Sequence, residues 1–135
     1  MSTLKVNTLQ DATGGNASTA EQIAQGRAKA WVIFNGTFGT SPFTEANGGI
    51  RNSFNVSSVT DNGTGDYTVT FTNSFSSTNY LAVPSAIFTT AGNAVSVVMG
   101  NGSVGGRVVG SCRFLTVQGT TQFDSDNIGV SFFGD

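Results

Sequence analysis

Residues 50–72 read IRNSFNVSSVTDNGTGDYTVTFT. From Asp66 onward the run alternates, with Tyr67, Val69 and Phe71 on one side and Thr68, Thr70 and Thr72 on the other. A strand sends successive side chains to opposite faces, so this pattern predicts a strand with an apolar face inward and threonines outward. Upstream, Ile50, Phe54 and Val56 begin a second strand. Between the two lies Asp61-Asn62-Gly63-Thr64-Gly65, rich in the residues that turns favour. The expectation is a hairpin of 50–59 with 66–72, joined by a loop of about six residues.

Working outward, strand signals continue on both sides. Ala30-Trp31-Val32-Ile33-Phe34 is a short apolar run ending at Asn35-Gly36, a hairpin-type turn signal. Residues 37–49 read as a loop, with Phe38 and Phe43 as plugs. Later candidates are 80–83 and 86–88, where Pro84 implies an edge or a bend. Then come 95–99, a glycine-rich loop GNGSVGG at 100–106, and 107–109 with 113–117, as a strand pair or one strand kinked at Gly110. Ile128, Val130 and Phe132 mark a last strand, expected to be structural. Short strands separated by Gly and Asn predict an all-β protein. Its main domain, 31–135, is an antiparallel β-sandwich or jelly-roll-like head, preceded by an N-terminal arm at 1–30.

Composition agrees. Gly, Thr, Ser and Asn make up nearly half of the 135 residues, and charged residues only 10%. The surface is therefore covered by hydroxyls and amides more than by ions. Val and Phe supply the apolar content while Leu is scarce, the balance of a β protein. A net charge of −2 with six Lys and Arg spread along the chain offers no basic patch, which argues against nucleic-acid binding. The opening MSTLKVNTLQ is too polar for a signal peptide, and no apolar run is long enough to insert into a membrane. Histidine is absent, which removes the commonest general base and metal ligand. Cys112, the single cysteine, reads as a small buried hydrophobe in a strand.

The arm opens on an alternating piece, Leu4, Val6 and Thr8, read as one short strand that must pair within this chain or with another. Ser18-Thr19-Ala20-Glu21 has the form of a capping box at the start of a helix, AEQIAQGRAKAW. Ile23, Ala24, Ala28 and Trp31, with Ala20 before them, recur at spacings of three and four, so on a helix they share one stripe, in a segment that Gly26 weakens. Two arrangements satisfy that stripe. The helix lies on the edge of its own β-domain, with Trp31 stapling helix to sheet, or three copies pack about a common axis through these four residues.

Chemistry-bearing patterns are sparse. The run 61–66 invites a calcium reading, but its glycines fall at the third and fifth positions, so a plain hairpin turn is the better account. Asp124 and Asp126 are read as solvated rather than metal-binding. GNGSVGG lacks the lysine and helix of a phosphate loop. Few ionisable groups are present to tune a carboxylic acid by its surroundings, so no catalytic residue, cofactor or metal is expected. Among the aromatics, Tyr80, Phe38 and Phe43 are the candidates for stacking on a sugar.

The segments LKVNTLQDATGG, EQIAQGRAKAWVIFNG and IRNSFNVSSVTDNGTGDYTVTF resemble the tail-fibre and receptor-binding proteins of marine and cyanobacterial phages (cyanophages). The resemblance covers residues 3–88 and is most specific in AKAWV-FNG and FNVSSVTDNGTGDYTV; beyond it only the Gly/Val/Ser character matches. It implies a non-enzymatic virion protein of the phage tail, a homotrimer whose N-terminal segment and short helix form a stem. The arm would attach to other tail proteins, and the β-rich head would contact a host-surface glycan or protein during adsorption. It also favours the trimeric arrangement of the stripe. Alternatives are a tail, baseplate or head-decoration subunit without receptor contact, and a small carbohydrate-binding module.

Overall fold

A computed structural model describes residues 2, 5–10, 12–14, 18–87, 96–99 and 106–134. The arm holds β1 (Thr8–Leu9), β2 (Ser18–Thr19) and α1 (Ala20–Gly26). The head follows with β3 (Ala30–Phe34), β4 (Ile50–Phe54), β5 (Val56–Gly63), β6 (Asp66–Phe71) and β7 (Leu81–Ile87). It is completed by β8 (Ser96–Met99), β9 (Arg107–Val108), β10 (Ser111–Gln118), β11 (Thr121–Gln122) and β12 (Asn127–Phe133). The protein is an all-β, sandwich-like fold. One sheet runs β4-β3-β12-β7; the other runs β11-β10-β6-β5, with β8 and β9 also paired to β10. Every ladder is antiparallel.

The alternation read from sequence fills the space between the sheets. Ala30, Val32 and Phe34 of β3, Tyr67, Val69 and Phe71 of β6, Cys112 and Phe114 of β10, and Ile128, Val130 and Phe132 of β12 all lie in the core. Phe34 meets Phe43, Tyr67 and Phe114 at centroid distances of 6.0, 5.1 and 6.3 Å. A second aromatic group gathers Phe71, Phe75, Tyr80 and Phe132, with Phe75 stacked on Tyr80 at 4.5 Å. Such pairs add directional attraction to the area they bury. Pro84 sits in β7, the edge of its sheet, where a missing N–H costs no ladder bond.

The predicted 50–59 strand is in fact two. Asn55 adopts a left-handed φ of 55°, so the chain turns between β4 in one sheet and β5 in the other. Asparagine tolerates that conformation because its short amide bonds locally. The hairpin with β6 is as expected but tighter: Gly63 pairs with Asp66, leaving Thr64 and Gly65 as the loop. Gly65 has φ +64°, and a side chain there would collide with the backbone of Phe123 and Thr116. Register shifts explain the broken alternation. One between Val56 and Ser58 lets both Val56 and Val59 point inward. Another, on the β3–β4 ladder, skips Arg51, so Ile50 stays inside while Phe54 faces out.

The helix is shorter than its stripe. It ends at Gly26, and Trp31 belongs to β3. The reason is the sheet: Lys29 N–H donates to the Phe132 carbonyl at 2.8 Å, and pairing with β12 extends the chain from Ala30. The N-terminal strand finds its partner in its own chain, Thr8 opposite Thr19 and Leu9 opposite Ser18. Ser18 and Thr19 thus serve β2, directly before the helix. Of the pair 107–109 and 113–117, the two-strand form holds, β9 against β10. Most of the GNGSVGG loop, 100–105, lies outside the described residues, as does Leu4.

Candidate functional site

Where the arm enters the head, the chain leaves an open groove of about 600 Å³. Its floor is built by β3 and β4. Trp31 alternates with the buried Ala30 and Val32, so it faces outward, and its register partner is Phe54. The skipped residue at Arg51 is what turns Phe54 to the same face. Phe54 is 55% exposed. Arg27, Ala28 and Lys29 form the arm side of the groove, and Thr72 and Asn73 the far side.

Asn55 holds the walls together. Its Nδ2 donates to the carbonyls of Lys29 and Asn73, both at 3.1 Å. Its Oδ1 accepts from the Asn73 backbone N–H at 2.8 Å and from Asn73 Nδ2 at 3.1 Å. The amide of Asn55 is consumed in this clamp, whereas Thr72 and Asn73 remain exposed. In the head, Arg51 and Arg107 donate to the backbone carbonyls of Asp126 and Tyr80 at 2.8 and 2.6 Å. Arg113 is locked to Asp66 by a two-pronged pair, Nε to Oδ1 at 2.8 Å and Nη2 to Oδ2 at 2.6 Å. Arg27 and Lys29 form no ion pair among the described residues, and no carboxylate lines the groove. Two aromatics, two unpaired cations and an exposed hydroxyl and amide can together hold a ring-shaped ligand that carries negative charge.

Trp31 also borders a smaller trough of about 190 Å³ across the outer face of the β3-β12-β7 sheet. Ile33 and Val83 stand on it, and Gly129 and Ser131 keep it low. Leu81, 59% exposed, extends the apolar character along β7.

The four residues of the expected helical stripe separate. Ile23, exposed, and Ala24, half-buried, are on α1; Ala28 and Trp31 line the groove. Tyr80 and Phe43 are corrected from ligand contacts to core residues, at 1% and 0% exposure. Burial of Tyr80 costs no hydrogen bond, because its hydroxyl reaches the Ser111 carbonyl at 2.8 Å, with that of Val108 at 3.1 Å. Phe43 bridges to Val59, and Phe38, half-buried, packs edge-on against it at 5.8 Å. Asp124 is likewise not simply solvated. It accepts from the Tyr67 hydroxyl and the Gly65 N–H, both at 2.6 Å. Burial, then the hydrogen bond to Asp124 and its charge, drives the Tyr67 hydroxyl pKa upward. Cys112 is buried as read, and that burial pushes its thiol up to about 11.

Sequence reading passed over Phe54, Thr72 and Asn73. It took Trp31 as a staple between helix and sheet or an interface residue. A signal was present: two of the six cations flank the only tryptophan, at Arg27 and Lys29. Among the described residues no three His, Cys, Asp or Glu side chains come together to hold a metal, and no helix is long and apolar enough to cross a membrane. No family model, curated protein or solved structure matches the chain.

Proposed function

We propose that this chain is a non-enzymatic phage tail-fibre protein, a homotrimer attached to the virion tail that recognises the host surface through its β-sandwich head. The observation that carries the reading is the arm. Its strands are two residues each and its helix seven. Among the described residues, every member of the buried core comes from Ala30, the first residue of β3, onward, so none of it lies in β1, β2 or α1. Elements that short are marginal alone in water. Val6, Leu9 and Ile23 stand 45%, 60% and 45% exposed, which sister copies packed about a common axis would cover. Ile23 and Ala24 are the helical residues for that contact, with Ala28 and Trp31 at its boundary with the head. The resemblance of the arm and hairpin segments to cyanophage tail fibres supports the same reading, in which the arm joins other tail proteins.

Native mass spectrometry at micromolar concentration tests the assembly: a trimer is expected, and a stable monomer contradicts it. Purified protein should also compete with its phage for adsorption to host cells. A trimer that fails to compete supports the alternative, a tail, baseplate or head-decoration subunit without receptor contact.

A further inference from the structure

We propose that the groove of Arg27, Lys29, Trp31, Phe54, Thr72 and Asn73 binds an anionic sugar, a pyranose ring bearing a carboxylate or sulfate, within a surface polysaccharide. The inference rests on the host-recognition reading and names the ligand class for it.

The aromatic floor comes first. Trp31 and Phe54 are directly opposed across the β3–β4 ladder, so their side chains stand next to each other on the outward face. Burying Phe54 in the core was open to the sequence, since Ile50 on the same strand is 3% exposed; the register shift at Arg51 turns it out. The apolar face of a pyranose matches such a surface, and water leaves both on contact.

Charge then selects among sugars. Arg27 and Lys29 flank the floor without a carboxylate partner among the described residues, in a protein whose net charge is −2. Unpaired cations beside an aromatic floor favour an acidic over a neutral ring, and guanidinium geometry fits carboxylate or sulfate oxygens two at a time. Two cations are too few for a nucleic-acid backbone.

The opposite wall supplies neutral hydrogen bonds. The Asn55 clamp takes one N–H of the Asn73 amide and the Asn73 backbone N–H. Thr72 and Asn73 line the groove, which leaves the side-chain carbonyl of Asn73, its second N–H and the Thr72 hydroxyl to meet ring hydroxyls in the proposed complex. A sister copy is a poorer occupant. Covering this groove would require acids set against Arg27 and Lys29, and Asp and Glu together number only eight in the 135 residues.

Trp31 is the only tryptophan, so its fluorescence reports on the groove and the trough it borders, and the Arg27 and Lys29 substitutions assign a change to the groove. The full-length protein is titrated with trigalacturonic acid, a sulfated trisaccharide of carrageenan type, and maltotriose as the neutral control. A saturable change in Trp31 emission is expected with at least one acidic trisaccharide, at least tenfold tighter than with maltotriose; which acid responds identifies the anion. Arg27→Gln with Lys29→Gln should weaken that binding at least tenfold with the melting temperature unchanged. Phe54→Ser should weaken it while leaving the trimer intact. Absence of a saturable response, an equal response to maltotriose, or indifference to the double substitution overturns the proposal. So does dissociation of the trimer by Phe54→Ser, which makes the groove a subunit interface. Competition for adsorption without acidic-sugar binding sinks this inference alone; acidic-sugar binding without competition sinks the host-recognition reading and keeps the groove.

Discussion

The two faces of β3 obey different rules. Inward, Ala30, Val32 and Phe34 are 0%, 1% and 0% exposed, and Phe34 is surrounded by Phe43, Tyr67 and Phe114. Outward, Trp31 is half-buried and Ile33 is 40% exposed, side chains as large and apolar as those inside. Folding accounts for the first set and not for the second. An apolar residue that the core does not use is available for binding, and on this strand the two roles alternate residue by residue. Stability should therefore be lost by inward substitutions and recognition by outward ones.

The largest effect is expected inside. Phe34→Ala removes the hub of an aromatic cluster whose other rings are fixed by the opposite sheet, Tyr67 on β6, Phe114 on β10 and Phe43 through its bridge to Val59, so the cavity cannot close. A loss of about 3–5 kcal/mol is expected in chemical denaturation. A loss below about 1 kcal/mol would mean that this end of the core is loosely packed.

Next comes the one polar seam in that cluster. Tyr67→Phe keeps the ring but deletes the hydroxyl donor to Asp124, and the Gly36 carbonyl 3.1 Å away also loses its neighbour. Asp124 keeps the Gly65 N–H at 2.6 Å. A cost of about 1–3 kcal/mol is expected, the penalty for leaving a half-buried acceptor short of a donor. Equal stability of Tyr67→Phe and the parent would show that water replaces the hydroxyl.

A smaller effect lies on the outer face of the larger sheet. Arg113 holds the Asp66 carboxyl below its ordinary value of 3.8, with its hydrogen bonds outweighing the cost of burial. A lowered folded value means the pair's contribution is complete above the ordinary carboxylate range and drains away as pH falls through the folded value. Asp66→Asn should cost about 1 kcal/mol at neutral pH and flatten the decline in melting temperature below about pH 4. An unchanged acid profile would assign that decline to other carboxylates.

Much of this was legible in sequence, and the failures share a cause. The β6 alternation and its hairpin could be read because period two and turn residues are local signals. The break at Asn55 could not. Phe54 and Val56 have the parity of a single strand, and only the amide clamp to Lys29 and Asn73 ends it, across contacts far apart in sequence. The helix was over-extended for the same reason: residues 27–31 keep helical spacing, but a ladder with β12, about a hundred residues away, claims Ala30 onward. Tyr80 looked like a surface aromatic because nothing local shows that two backbone carbonyls wait for its hydroxyl. The groove was missed because it joins three separated segments, at 27–31, 54–55 and 72–73.

The smallest stability effect is the one that best separates the two faces. Phe54 is 55% exposed, and its stabilising contact is the cross-strand pair with Trp31. Cross-strand pairs contribute roughly 0.2–1 kcal/mol, and serine gives up a little strand preference besides. Phe54→Ser is thus expected to cost no more than about 1 kcal/mol, several-fold less than Phe34→Ala in the same denaturant series. Both substitutions remove a phenyl ring from neighbouring strands of one sheet, so the ring itself is not the variable; the face is. If the two losses come out equal, the outer ring is packed against something in the folded protein, a sister copy or the arm, and the division of β3 into a folding face and a binding face fails.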